Sequence, residues 1–68
     1  MKLRINGVER EFPPIRSLEE LLRALDVPMD RGGVAVAHNE EVVPRGRWAE
    51  TVVSEGDRFE IITAVQGG

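Results

Sequence analysis

The chain closes on Gln66-Gly67-Gly68, and the group with the most chemistry to offer is the α-carboxylate of the last glycine. An α-carboxyl titrates near pH ~3.5, so it is an anion at neutral pH. Its carbonyl resists nucleophiles until one oxygen is built into a good leaving group. Two residues without Cβ make a thin segment that reaches backbone conformations closed to other residues. Such a segment can thread a slot too narrow for any side chain and carry its carboxylate into another protein. Composition alone places Gly-Gly at the end of about one chain in 200. The same dipeptide at Gly32-Gly33 reads as a loop, so the terminal pair gains weight only if the rest of the chain is built to present it.

No other residues assemble a reaction centre. There are no cysteines and a single histidine, hence no disulfide, no thiolate nucleophile and no Cys-based metal site. His38 has no second ligand near it in sequence and reads as an ordinary side chain rather than a base or a metal ligand. Glu19-Glu20 and Glu40-Glu41 are explained by a helix cap and a turn. Arg45 and Arg47 suit either a phosphate or acidic partner, or plain solvent. Trp48 reads as packing, since it is the only tryptophan in a chain with two phenylalanines and no tyrosine. The expectation is therefore no catalytic residue, no bound metal and no intrinsic cofactor.

At 68 residues the chain is near the lower size at which one core suffices, burying about 60% of its unfolded surface. That leaves room for one core layer and none for a deep enzyme pocket. A hydrophobic content of 41% and a charged content of 31% are those of an ordinary folded domain. The net charge of −3 argues against a nucleic-acid binder, which carries a basic face. No apolar leader or membrane-length stretch is visible. A cytoplasmic protein forming one domain over residues 1–68, with a flexible tail at 66–68, is the expectation.

The elements follow from periodicity. Leu3 and Ile5 alternate with Lys2 and Arg4 as a strand, and Asn6-Gly7 is a strong hairpin turn. The return strand holds Val8 to Phe12. Arg10 interrupts its apolar face, which marks an edge strand, and Pro13-Pro14 stops it. Ser17 to Glu20 reads as a capping box opening a helix whose Leu18, Leu21, Leu22 and Leu25 form one stripe. Glu19 and Arg23 pair on its outer side, and Pro28 marks its end. Eight or so residues do not stay helical alone in water, so the stripe must lie on a sheet. Val34–His38 is the third strand, Val42-Val43 a short fourth, and 45–50 an irregular or 3₁₀ piece. The turn Glu55-Gly56-Asp57 leads to the last strand, 58–65. Phe59 and Ile61 point inward. Ile62 and Ala64 point outward beside the small Ala35 and Ala37, making an apolar patch at the root of the tail.

Asn39, Val43-Pro44-Arg45, Trp48, Gly56-Asp57 and the terminal Gly67-Gly68 together resemble the ThiS-type sulfur carriers of thiamine thiazole synthesis. The resemblance is densest from Val34 to Gly68. In the hairpin and helix only the order of elements agrees. His38, where an aliphatic residue is common, and Pro13-Pro14 depart from the pattern without touching the tail. The resemblance implies an α+β fold of the β-grasp (ubiquitin-like) type, a mixed sheet of four to five strands packed on one main helix. Its first and last strands would run parallel at the sheet centre.

The resemblance also implies a carrier that is a substrate and not an enzyme. A ThiF-like adenylating enzyme, using Mg-ATP, would activate the Gly68 carboxylate. Sulfur originating from a cysteine desulfurase would replace AMP to give a thiocarboxylate, and a ThiG-like thiazole synthase would take the sulfur. Gly67 and Gln66 would thread the partner's slot, the three residues past Val65 reaching at most about 10 Å. Ile62, Ala64, Val65, Ala35 and Ala37 would dock the domain outside it. A related Gly-Gly carrier serving molybdopterin or tRNA thiolation, and an interaction domain with an idle tail, are the alternative readings.

Overall fold

In the computed structural model, which describes residues 1–30 and 32–64, the first alternating segment forms strand β1 (Lys2–Ile5), with Leu3 and Ile5 buried. Asn6 and Gly7 both take positive φ, 49° and 82°, as a two-residue type I′ turn requires. Strand β2 (Val8–Glu11) is exposed at every residue and forms a sheet edge. Phe12, just beyond it, enters the core, and the Arg10 guanidinium lies 5.4 Å from its ring centroid.

Helix α1 (Leu18–Ala24) starts on Ser17, whose hydroxyl accepts from the Glu20 amide at 3.2 Å. The reciprocal arm of the cap lands one residue earlier than in a standard box: the Glu20 carboxylate accepts from the Arg16 amide at 2.9 Å. The helix ends in a Schellman pair. The Val27 amide donates to the Leu22 carbonyl, and the Asp26 amide donates to that of Arg23. Asp26 supplies the left-handed residue at φ 57° that this stop needs. Leu18, Leu21 and Leu22 are fully buried, each contributing about 1.5–3 kcal/mol, and Leu25 packs at the core margin.

Strand β3 (Val34–His38) turns at Asn39 and Glu40 into β4 (Glu41–Val42). Both turn residues have positive φ, 49° and 76°. The fourth strand was expected at Val42-Val43. Instead the tight turn at 39–40 makes Glu41 and Val42 the strand residues, and Val43, whose amide still donates to the Val36 carbonyl at 2.8 Å, leads into Pro44 and a 3₁₀ turn at Arg45–Arg47. Strand β5 (Arg58–Thr63) completes the sheet.

The sheet order is β2-β1-β5-β3-β4. β1 and β5 run parallel, and every other pairing is antiparallel. This is the β-grasp arrangement. The two parallel strands place the alternate residues Leu3, Ile5 and Phe59 against the helix stripe, with Val36, Trp48 and Val53 closing the same core. The opposite sheet face carries no helix among the described residues. No helix is long and apolar enough to cross a membrane, among the described residues.

Candidate functional site

Register decides which side chains share the uncovered face. Ala35 lies opposite Ile62, Ala37 opposite Glu60, and Ala37 opposite Val42. Because side chains one pair apart alternate between faces, Ile62, Ala35, Ala37 and Val42 form one apolar strip across β5, β3 and β4. Ile62 is 67% exposed and Val42 78%; Ala35 and Ala64 are exposed and Ala37 is half-buried. The sheet thus brings together Ile62, Ala64, Ala35 and Ala37 as the sequence indicated. Val42 was missed as a patch residue. Its signal was the turn register, since moving the strand by one residue changes which side chain faces outward. Val65, Gln66, Gly67 and Gly68 lie outside the described residues.

The strip borders the point where β5 ends. The Ala64 amide donates to the Gly33 carbonyl at 2.7 Å. Gly33 sits at φ +87°, and a Cβ there would meet the Ala64 Cβ at 3.1 Å. A side chain at this position would be strained by the left-handed backbone and would crowd the Ala64 Cβ.

The other polar cluster is at the opposite end of β5. His38 Nε2 and Asp57 Oδ2 are 2.7 Å apart, both side chains largely shielded, and the imidazole stacks on Phe59 with centroids 4.8 Å apart. The Ser54 amide donates to Asp57 Oδ2 at 2.9 Å, and Asn39 Nδ2 donates to Asp57 Oδ1 at 3.3 Å. His38 is thus a partnered structural side chain, and its partner lies 19 residues away, beyond any local reading. Burial is the largest single influence on the Asp57 carboxyl and pushes it up. The hydrogen bonds from Ser54, His38 and Asn39, with the charge of His38, together outweigh it and hold Asp57 below its ordinary 3.8.

A carboxyl depressed in the folded state stabilises the fold above its unfolded value, and that contribution is lost as pH falls through the folded value. Asp57→Asn is therefore expected to flatten the acid limb of the stability curve. Melting temperature measured from neutral pH to well below pH 3.8 should fall less steeply in the variant than in the wild type. Parallel curves would assign the acid loss to other carboxylates.

The run Val43-Pro44-Arg45-x-x-Trp48 is structural. The indole Nε1 donates to the Val43 carbonyl at 3.0 Å, and the indole is buried. Arg45 spreads its guanidinium 4.7 Å over the ring centroid and donates to the Met29 carbonyl. Arg45 is thus tied into the fold rather than simply solvated. Arg47 is exposed and pairs with Glu50 at 3.4 Å. No group of three or more His, Cys, Asp or Glu able to hold a metal occurs among the described residues.

Comparison with known proteins agrees with this arrangement. The family model described as "ThiS family" matches residues 3–68. The sulfur carrier protein ThiS of Escherichia coli is 31% identical over 68 residues, covering all of both chains. A thiazole synthase of Paramagnetospirillum magneticum is 44% identical over 68 residues, which is all of this chain and 20% of that protein. A second thiazole synthase, of Magnetococcus marinus, is 34% identical over the same span, again 20% of its length. The crystal structure of the thiamine biosynthesis protein ThiS from Geobacter metallireducens superimposes with a TM-score of 0.81 at 33% identity, covering both chains completely. The solution structure under the same name gives 0.83, covering 88% of that chain.

Proposed function

Because the chain belongs to the ThiS family, we propose that it is a sulfur carrier of thiamine biosynthesis whose working group is the Gly68 carboxylate. A carboxylate oxygen attacks the α-phosphorus of ATP and releases pyrophosphate, giving an acyl-adenylate. A sulfur nucleophile then displaces AMP and leaves a thiocarboxylate, which donates its sulfur to the thiazole ring. Mg-ATP belongs to a ThiF-like adenylating partner, and the sulfur comes from a donor system with a cysteine desulfurase. The carrier supplies no catalytic side chain. It acts in the cytoplasm as a single domain.

The observation that carries this reading is the full-length match to a protein named as a sulfur carrier. The two relatives named thiazole synthase support the last step, because in each a segment similar to the whole of this chain is part of a protein about five times longer. That favours a ThiG-like thiazole synthase as the acceptor over other sulfur-using pathways. Ile62, Ala35, Ala37, Ala64 and Val65, with Val42 added, form the docking face, and Gly67 and Gln66 enter the partner's slot.

Intact-mass measurement of the protein isolated from cells tests the reading. A fraction ending at Gly68 is expected to be heavier by the exchange of one oxygen for sulfur, and treatment with a thiol-selective alkylating reagent should shift only that fraction. A protein that never carries the extra mass under thiamine starvation would exclude a sulfur carrier.

A further inference from the structure

The uncovered sheet face has a charged half that folding does not explain. Arg4 and Arg58 are partners in the parallel ladder of β1 and β5, and both are exposed. Their neighbours Leu3, Ile5 and Phe59 point into the core, so alternation puts the two arginines on the same face as Ile62. Guanidinium groups on adjacent strands repel, and neither can shed its proton. The nearby acids offset this weakly. Glu9 lies opposite Arg4 in register, yet the Arg4 guanidinium forms no ion pair or hydrogen bond among the described residues. Glu40 meets Arg58 at 3.8 Å with both side chains well exposed, and a contact of that kind contributes little. A depression of about 330 Å³ is lined by Arg4, Glu40, Arg58, Phe59 and Glu60.

Resting on the carrier reading above, we propose that Arg4 and Arg58 together seat a carboxylate side chain of the adenylating partner, as the polar end of a docking face whose apolar end is Ile62. A carboxylate has two oxygens and can accept from two guanidinium groups at once. Placed between the arginines, it removes the repulsion that the free carrier carries. Arg58 and Ile62 are four residues apart on β5, about 13 Å along the strand, which fits inside a footprint of about 800 Å². The partner must then present an acid about 13 Å from the pocket that takes Ile62.

The chain carries a net charge of −3, so its overall charge does not draw it to an acidic surface. The arginine pair works by position instead. It accepts a partner acid only in the docked register, and so fixes the orientation of the domain about the Ile62 contact. A single apolar anchor leaves rotation about itself unrestrained, and a second, charged point removes that freedom. Arg23 supplies the comparison. It carries the same charge on helix α1, across the sheet from this face, and is paired with Glu19 at 3.1 Å.

The test is titration calorimetry of wild type, R4Q, R58Q, the double variant and R23Q against a ThiF-like enzyme that binds the wild-type chain, with a melting curve for each. R4Q and R58Q are each expected to raise Kd by about tenfold and to melt within about 3 °C of wild type. The double variant should lose less than the product of the two, because one carboxylate serves both arginines. R23Q removes the same charge from the other side of the domain and should bind within about twofold of wild type. A wild-type Kd in either R4Q or R58Q would overturn the inference. An equal loss in R23Q would do the same, since the effect would then be one of net charge. So would a much larger fall in melting temperature for R4Q and R58Q, which would assign the arginines to the fold. Absence of binding by the wild-type chain to every ThiF-like enzyme tried would instead sink the carrier reading, and this inference with it.

Discussion

Gly67→Val is expected to abolish adenylation of Gly68 while the melting temperature stays at its wild-type value. The reason is steric and electronic together. Forming an acyl-adenylate requires a carboxylate oxygen, the α-phosphorus of ATP and the departing pyrophosphate in line, inside a site that excludes water from the activated acyl group. A carrier can bring only its terminal strand into such a site, and a residue without Cβ is the thinnest strand available. Valine adds a branched Cβ one residue from the reacting carbon and restricts the backbone to extended conformations. A displacement of about 1 Å at that distance is enough to cost about 100-fold in rate. Gly67→Ala, with one methyl group, should fall between the two. Pyrophosphate release and the mass of the acyl-adenylate read the effect directly. Normal adenylation of the valine variant would refute the narrow-slot argument, and it would do so whether or not the sulfur is later delivered to a thiazole.

Much of the scaffold around that tail was legible because local rules and tertiary packing agree. Leu18, Leu21 and Leu22 sit at helical spacing and are fully buried. Asn6-Gly7 makes the turn its residue types demand. Trp48, the only tryptophan of the chain, goes into the core. What local rules leave unseen depends mostly on contacts between residues distant in sequence. Asn6 reads as a turn residue, and nothing local shows that its amide would be used by Ile61, 55 residues away. His38 reads as isolated because Asp57 approaches it only when β5 is inserted between β1 and β3. Arg45 reads as open between a partner and solvent because its place on Trp48 is set by the 3₁₀ turn between them. Val42 was missed for a different reason. Two adjacent valines offer two registers, and the choice is made by a turn in which Glu40, an uncommon residue at φ 76°, accepts a left-handed conformation. Of the candidate site, the patch of Ile62, Ala64, Ala35 and Ala37 was legible from strand alternation, whereas Val65, Gln66, Gly67 and Gly68 lie outside the described residues.

Ile62→Asp is expected to weaken association with the adenylating partner by about 2 kcal/mol, close to thirtyfold in Kd, as the loss of a central apolar anchor does. The domain presents 4725 Å² of accessible surface, and a standard interface takes about 800 Å² from each partner. The partner footprint is therefore about a sixth of the molecule, comparable to one face of the sheet. On that face Ile62 is the largest apolar side chain, flanked by Ala35 and followed by Ala64. The small neighbours leave it standing above the surface, where it can fill a pocket. Its removal should not unfold the domain, because two thirds of it is already exposed. Aspartate is a poor strand former, which costs up to about 1 kcal/mol. Ile62→Thr avoids that penalty and separates the two effects, since threonine keeps the strand preference and loses most of the apolar surface. Both variants should bind weakly, measured by titration calorimetry, and the threonine variant should melt within a few degrees of wild type. A large fall in melting temperature for Ile62→Thr would place the side chain in the core, and unchanged affinity in both variants would move the docking face elsewhere on the molecule.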